Sequence, residues 1–183
     1  MTNRRQTADA SPVASPGPGA PFGIGGVRVG SGLIPTEVAE LLGGLPDAVS
    51  GLARGGVSSD AASATVVYVD DADPNVPKFG IAVAVRVEPT ADADATIARL
   101  QRERWGDPAD HAVTGSGAGG ANEPAYRLFS RSFDPVQFAL PYRPIYFLLW
   151  YRANDDYAFM IVAHTATIRE DLTRALVAGL GDP

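Results

Sequence analysis

The spacing of apolar positions is most regular between Ile145 and Leu180. Ile145, Phe147, Leu149 and Tyr151 alternate with Tyr146, Leu148 and Trp150, so both faces of this run are apolar. That pattern predicts a central strand covered on both sides. Ala153-Asn154-Asp155-Asp156 is turn chemistry, because Asn and Asp tolerate left-handed backbone angles and bond their own main chain. Tyr157–His164 then returns. With Asn154-Asp155 as the loop, Trp150 faces Phe159, Leu148 faces Ile161 and Phe147 faces Val162. Thr167-Ile168-Arg169-Glu170 reads as a capping box. It opens a closing helix that buries Ile168, Leu172, Ala175, Leu176 and Leu180.

The same reading extends upstream. Phe79, Ile81, Val83, Val85 and Val87 share one face of a strand. Gly80, Ala82 and Ala84 share the other with Arg86, and such small side chains let a second layer approach closely. Thr90 is read as the cap of a helix over about residues 91–105, with Ile97, Leu100 and Trp105 inward. In Thr36–Arg54, Val38, Leu41, Leu42, Leu45, Val49 and Leu52 recur at helical spacing. Gly43-Gly44 breaks that helix, and Pro46 opens a second short one. Gly55–Ala62 reads as loop, Thr65–Asp70 and His111–Thr114 as short strands. Tyr126–Phe133 is a strand on which Arg127, Phe129, Arg131 and Phe133 share a face.

Met1–Pro21, rich in Pro, Gly, Ser and Ala, cannot bury enough surface to order itself and reads as a tail. Phe22–Gly32 suggests a short edge strand. Residues 22–183 are therefore expected to form a single α+β domain: a mainly antiparallel sheet packed by about three helices, with a C-terminal β-hairpin followed by a helix.

Composition narrows the chemistry. The 183 residues carry a net charge of −6, which argues against a nucleic acid partner, since that needs a basic footprint. No cysteine is present, so disulfides, thiol nucleophiles and thiolate metal sites are excluded together. No stretch reaches the roughly 18 apolar residues of a membrane span. Arg4-Arg5 is followed by no apolar stretch, so it is not read as an export signal, and a cytoplasmic location is expected. Fourteen of the fifteen basic residues are Arg. With abundant Ala, Gly, Pro and Asp, this points to a GC-rich bacterial genome.

Several motifs fail on context. Gly115-Ser116-Gly117-Ala118-Gly119-Gly120 matches Gly-x-Gly-x-x-Gly, but a strand rather than a helix is expected next, so no pyrophosphate site is assigned. Asp71-Ala72-Asp73-Pro74-Asn75 starts like a calcium loop, yet Val76 and Ala82 stand where Gly and Glu are required. No metal site and no cofactor are expected. His111 and His164 are the two histidines. His164, at a strand end with Glu170 and Asp171 near in sequence, is the one catalytic candidate. The binding candidates are Arg127, Phe129 and Arg131 on one strand, Trp150 and Tyr151 on another, and Arg102 at the basic end of a helix. Guanidinium groups beside aromatic rings suit an anionic or aromatic ligand.

From Phe79 onward, the order of elements resembles the Mog1/PsbP/DcrB-like group. It runs from a strand (Phe79–Val87) through a helix opened by Thr90-Ala91-Asp92 and a strand near Tyr126 to the hairpin of Phe147–Arg152 and Tyr157–His164, and closes on a helix after Thr167. The resemblance implies a non-catalytic binding or accessory module and carries no functional residue with it. The expected function is a non-enzymatic binding module with an aromatic, Arg-bearing contact face for a protein partner or small ligand. Two alternatives stand beside it: an enzyme using His164 with a nearby carboxylate, and a homo-oligomer held through helix 36–54.

Overall fold

The computed structural model describes residues 36–60, 62–70, 78–120, 123–132 and 144–180. One antiparallel sheet of eight strands runs through it. The strands are β1 (Ala48–Val49), β2 (Leu52–Ser59), β3 (Ser63–Asp70), β4 (Lys78–Arg86), β5 (Ala112–Gly117), β6 (Ala125–Ser132), β7 (Pro144–Tyr151) and β8 (Tyr157–Ala163). Their spatial order is β1-β2-β3-β4-β8-β7-β6-β5. Helices α1 (Thr36–Gly43), α2 (Ala93–Trp105) and α3 (Ala166–Leu180) complete the α+β fold, and a short 3-10 turn, Pro108–Asp110, follows α2.

The C-terminal hairpin forms in the expected register, with Trp150 opposite Phe159, Leu148 opposite Ile161 and Phe147 opposite Val162. Asn154 takes the left-handed angle its turn requires, at φ 66°. Both faces of β7 are buried, because helices cover both sides of the sheet. On one side α1 and α3 close over Val66, Tyr68, Ala82, Ala84, Leu148, Trp150, Phe159 and Ile161. On the other, α2 closes over Val83, Val85, Phe129, Phe147, Leu149 and Met160. The small face of β4 does what its residues allow. A Cβ at Gly80 would lie 2.7 Å from Leu172 Cδ1 and 2.8 Å from Ile168 Cγ2, so α3 rests on bare backbone there.

Buried tyrosines find acceptors, as buried hydroxyls must. Tyr68 Oη donates to the Pro46 carbonyl at 2.8 Å. Tyr151 Oη donates to the Asp155 carbonyl at 2.9 Å and accepts from Thr90 N at 3.1 Å, which ties the hairpin turn to the segment entering α2.

Three expectations are corrected. The helical reading of Thr36–Arg54 holds only to Gly43; beyond it the chain forms the β1–β2 hairpin, and the expected loop at Gly55–Ala62 is largely strand β2. Leu45, Val49 and Leu52 are buried as anticipated, but Leu45 in the turn after α1 and Val49 and Leu52 in strands. The deciding signal is the turn pair Ser50-Gly51, both at positive φ (51° and 79°). Arg54 then donates to the carbonyls of Gly43 and Leu45 and caps the end of α1. Second, Asp92 rather than Thr90 caps α2, its carboxylate accepting from Ala95 N at 2.9 Å. Third, α3 begins two residues earlier than Thr167 implies, with Thr165 Oγ1 accepting from Ile168 N at 3.2 Å. The tail, the edge strand of 22–32 and the calcium-like loop at 71–77 lie outside the described residues.

Candidate functional site

The six binding candidates do not share one surface. Arg127, Phe129 and Arg131 do line one face of β6, but that face is roofed by α2. Arg127 donates to Gln101 Oε1 at 2.9 Å and to Asp94 Oδ1 at 3.0 Å, both on α2. Arg131 Nη1 donates to the carbonyl of Trp105 at the helix end. Phe129 is fully buried and stacks on Phe147 at 4.8 Å and on His111 at 4.7 Å. Trp150 belongs to the opposite, α1/α3 core, Tyr151 to the α2 core, and Arg102 is exposed on α2. Alternation along β7 explains the split, since neighbouring residues face opposite ways.

His111 is held as a neutral ring within this network. Its Nε2 lies 3.1 Å from the Trp105 carbonyl, which only accepts, so Nε2 carries the hydrogen. Burial, first among its causes, holds the His111 pKa below the ordinary value. His164 leaves β8 on the α2 side. Its main-chain N donates to Phe79 O at 3.0 Å, and its ring lies 6.2 Å from that of Phe79. Val38, Leu42 and Leu45, offered as a self-association stripe, pack inward on the sheet and α3. Among the described residues no three His, Asp or Glu side chains gather as a metal set, and no helix is long and apolar enough to cross a membrane.

A different site emerges on the α1/α3 side, from one row across the sheet. Tyr68, Gly80, Ala163, Tyr146, Ser130 and Ala112 are successive cross-strand partners and so share a face. Helix α3 sits over Gly80, and its principal strand contacts end at β7. Beyond its edge the row continues past Tyr146 onto Ser130 and Ala112. Here a polar cleft of about 360 Å³ opens, lined by Asp110, Ala112, Ser130, Arg131 and Ser132. With strands about 4.8 Å apart, Ser130 stands one strand from Tyr146 and Ala112 two.

Apart from this cleft, α3 holds a buried cation against Tyr146. Arg169, in the first turns of α3, is only 5 % exposed, and its guanidinium lies 5.9 Å from the centre of the Tyr146 ring. Among the described residues its ionic neighbour is Glu170, 3.5 Å from Nη2 and well exposed, and Nε and Nη1 are buried with no hydrogen-bond partner there. Helical side chains lean towards the helix N-terminus, which carries Arg169 off the α3 axis and over β7.

No protein-family model matches this chain, and neither a curated protein nor a solved structure matches it.

Sequence alone does not single out Arg169, Ser130 or Ala112 as site residues, and marks Tyr146 only as one of an aromatic group. They lie on four separate elements and meet only through strand register, a long-range property with no local motif. The available signal was an Arg inside the stripe of an otherwise apolar helix face.

Proposed function

We propose that this chain is a non-enzymatic binding module that takes the polar end of a small molecule in the cleft beside Ala112, Ser130, Ser132 and Arg131. The observation that carries this reading is the row Tyr146–Ser130–Ala112 extending past the edge of α3 into an open polar cleft. Asp110 and the serines Ser130 and Ser132 line it, a polar set suited to fixing the orientation of a ligand. The side chains with chemical reach elsewhere already work within the fold: His111 is locked between Gln101 and Trp105, and Arg127 bridges β6 to α2. The element order that resembles the Mog1/PsbP/DcrB-like group supports the same reading.

The test is a fragment screen on isotope-labelled full-length protein, followed by backbone amide shifts. Fragments are expected to move the amides of Ala112, Ser130 and Ser132, and Ala112→Trp, which fills the cleft, should abolish those shifts. Shifts that ignore Ala112→Trp, or no binding at all, would overturn the reading.

A further inference from the structure

The two edges of the sheet are finished differently. At one end stands β1, a strand of two residues, and beside it β2 shifts register between Arg54 and Val57. Short edge strands and bulges are common guards against pairing with another chain. At the other end stands β5, Ala112-Val113-Thr114-Gly115-Ser116-Gly117, with no charged residue and no proline. One side of its backbone pairs with β6, and among the described residues the other side pairs with no strand. Its own bulge is folded back onto β6. Thr114, the residue skipped in the register, donates from Oγ1 to the Leu128 carbonyl at 3.4 Å, and from Gly115 to Gly117 the pairing runs evenly. The glycines decide what can lie alongside. A Cβ at Gly117 would stand 2.6 Å from Tyr126 Cε1, so the exposed Tyr126 ring lies across the outermost strand. Leu128 covers Gly115 in the same way, its Cδ1 3.2 Å from such a Cβ. On the opposite face, Val113 is 54 % exposed, more than any other large apolar side chain among the described residues. Exposed apolar groups therefore border this edge on both faces of the sheet.

We infer that β5 pairs antiparallel with β5 of a second copy of this chain, joining the two sheets edge to edge. The strand is complementary to itself. A twofold pair centred on Ser116 sets Gly115 opposite Gly117 of the second copy, and Gly117 opposite its Gly115. Each Tyr126 ring then finds a glycine on both strands, so it extends from its own chain onto the other without meeting a side chain. Ser116, which is exposed, faces itself across the axis. An unrelated extended peptide would meet the same main-chain groups, but only a second copy returns the glycine-to-tyrosine fit on both sides of the axis. So short a ladder makes a weak, concentration-dependent dimer. The pairing does not depend on the ligand cleft.

The experiment is sedimentation velocity of the full-length protein over a wide range of concentration, with amide hydrogen exchange on the same samples. A monomer–dimer equilibrium is expected, and the amides of β5 should exchange more slowly as concentration rises. Ser116→Lys and Ser116→Glu each set like charges across the axis from an exposed position. Each should raise the dimer dissociation constant about tenfold or more, while the melting temperature of the diluted monomer stays that of the parent. Mixed together, the two variants should associate again, because opposite charges now face each other. A monomer at every concentration overturns the inference. So does a dimer indifferent to both substitutions, or a pair of variants that stays apart on mixing. Assemblies larger than a dimer also overturn it, since a twofold contact closes on itself.

Discussion

Gln101 Nε2 stands 2.7 Å from His111 Nδ1, the contact of an amide donor with the unprotonated nitrogen of a neutral ring. The amide has no freedom to turn over, since its oxygen accepts from Arg127 Nη1 at 2.9 Å. A proton added at Nδ1 would point at an N–H donor. Burial is the chief reason the His111 pKa is lowered; the hydrogen bond to the Trp105 carbonyl opposes it, Arg131 adds repulsion from β6, and Asp110 and Asp107 pull the other way.

A pH dependence follows. The folded-state pKa of His111 lies below its ordinary value of 6.5, so the unfolded chain binds the proton more readily. The stability this contributes is fully present above about pH 6.5 and is lost as pH falls towards the lowered folded value. Urea unfolding between pH 8 and pH 5 should show the decline. His111→Phe keeps a ring against Phe129 but does not titrate. It should lower stability by about 1–3 kcal/mol at neutral pH, through the unpaired Gln101 amide, and flatten this part of the curve. A difference between the two proteins that does not change with pH would remove His111 as the cause.

Arg127→Ala should destabilise the fold by about 1–3 kcal/mol, because it leaves Gln101 Oε1 and Asp94 without their charged donor and loosens α2 on β6. Calorimetry of the single variant checks this. An unaltered melting temperature would instead fit the solvent-facing contact surface that the alternation of β6 suggested.

Gly80→Val should cost about 1–3 kcal/mol by overpacking, since the new side chain meets Leu172 and Ile168 of α3. Leu172→Ala in the same chain should recover part of the loss relative to the sum of the two single changes. Strict additivity in a double-mutant cycle would show that α3 does not seat on Gly80.

Gly51→Ala should cost about 1 kcal/mol, because the β1–β2 turn holds this residue at φ 79°. The denaturation midpoint would read it. Were residues 46–54 helical instead, the same change would stabilise the protein.

The parts of this fold legible in the sequence are those written in local alternation. The β7–β8 register follows from one turn and two apolar runs, and the small face of β4 announces the close approach of α3. The hairpin at Ser50-Gly51 was hidden because Leu45, Val49 and Leu52 satisfy a helical stripe as well as a buried extended segment. The face of Arg127, Phe129 and Arg131 was grouped correctly, yet nothing local says that α2 lies over it. The cleft depends on the register of β5 against β6. Arg169 was visible in sequence only as part of a capping motif that the structure places two residues away.

The strand order also has a bearing on how the molecule comes together. The runs β1 to β4 and β5 to β8 each pair between sequence neighbours, and they meet along a single seam, with Gly80 opposite Ala163. Closing that seam spans nearly half the chain, so the loop entropy it demands falls on one late event. Each ribbon alone would keep its local pairings but bare a long apolar edge. Two fragments cut between α2 and β5 would therefore tend to seek each other rather than persist apart.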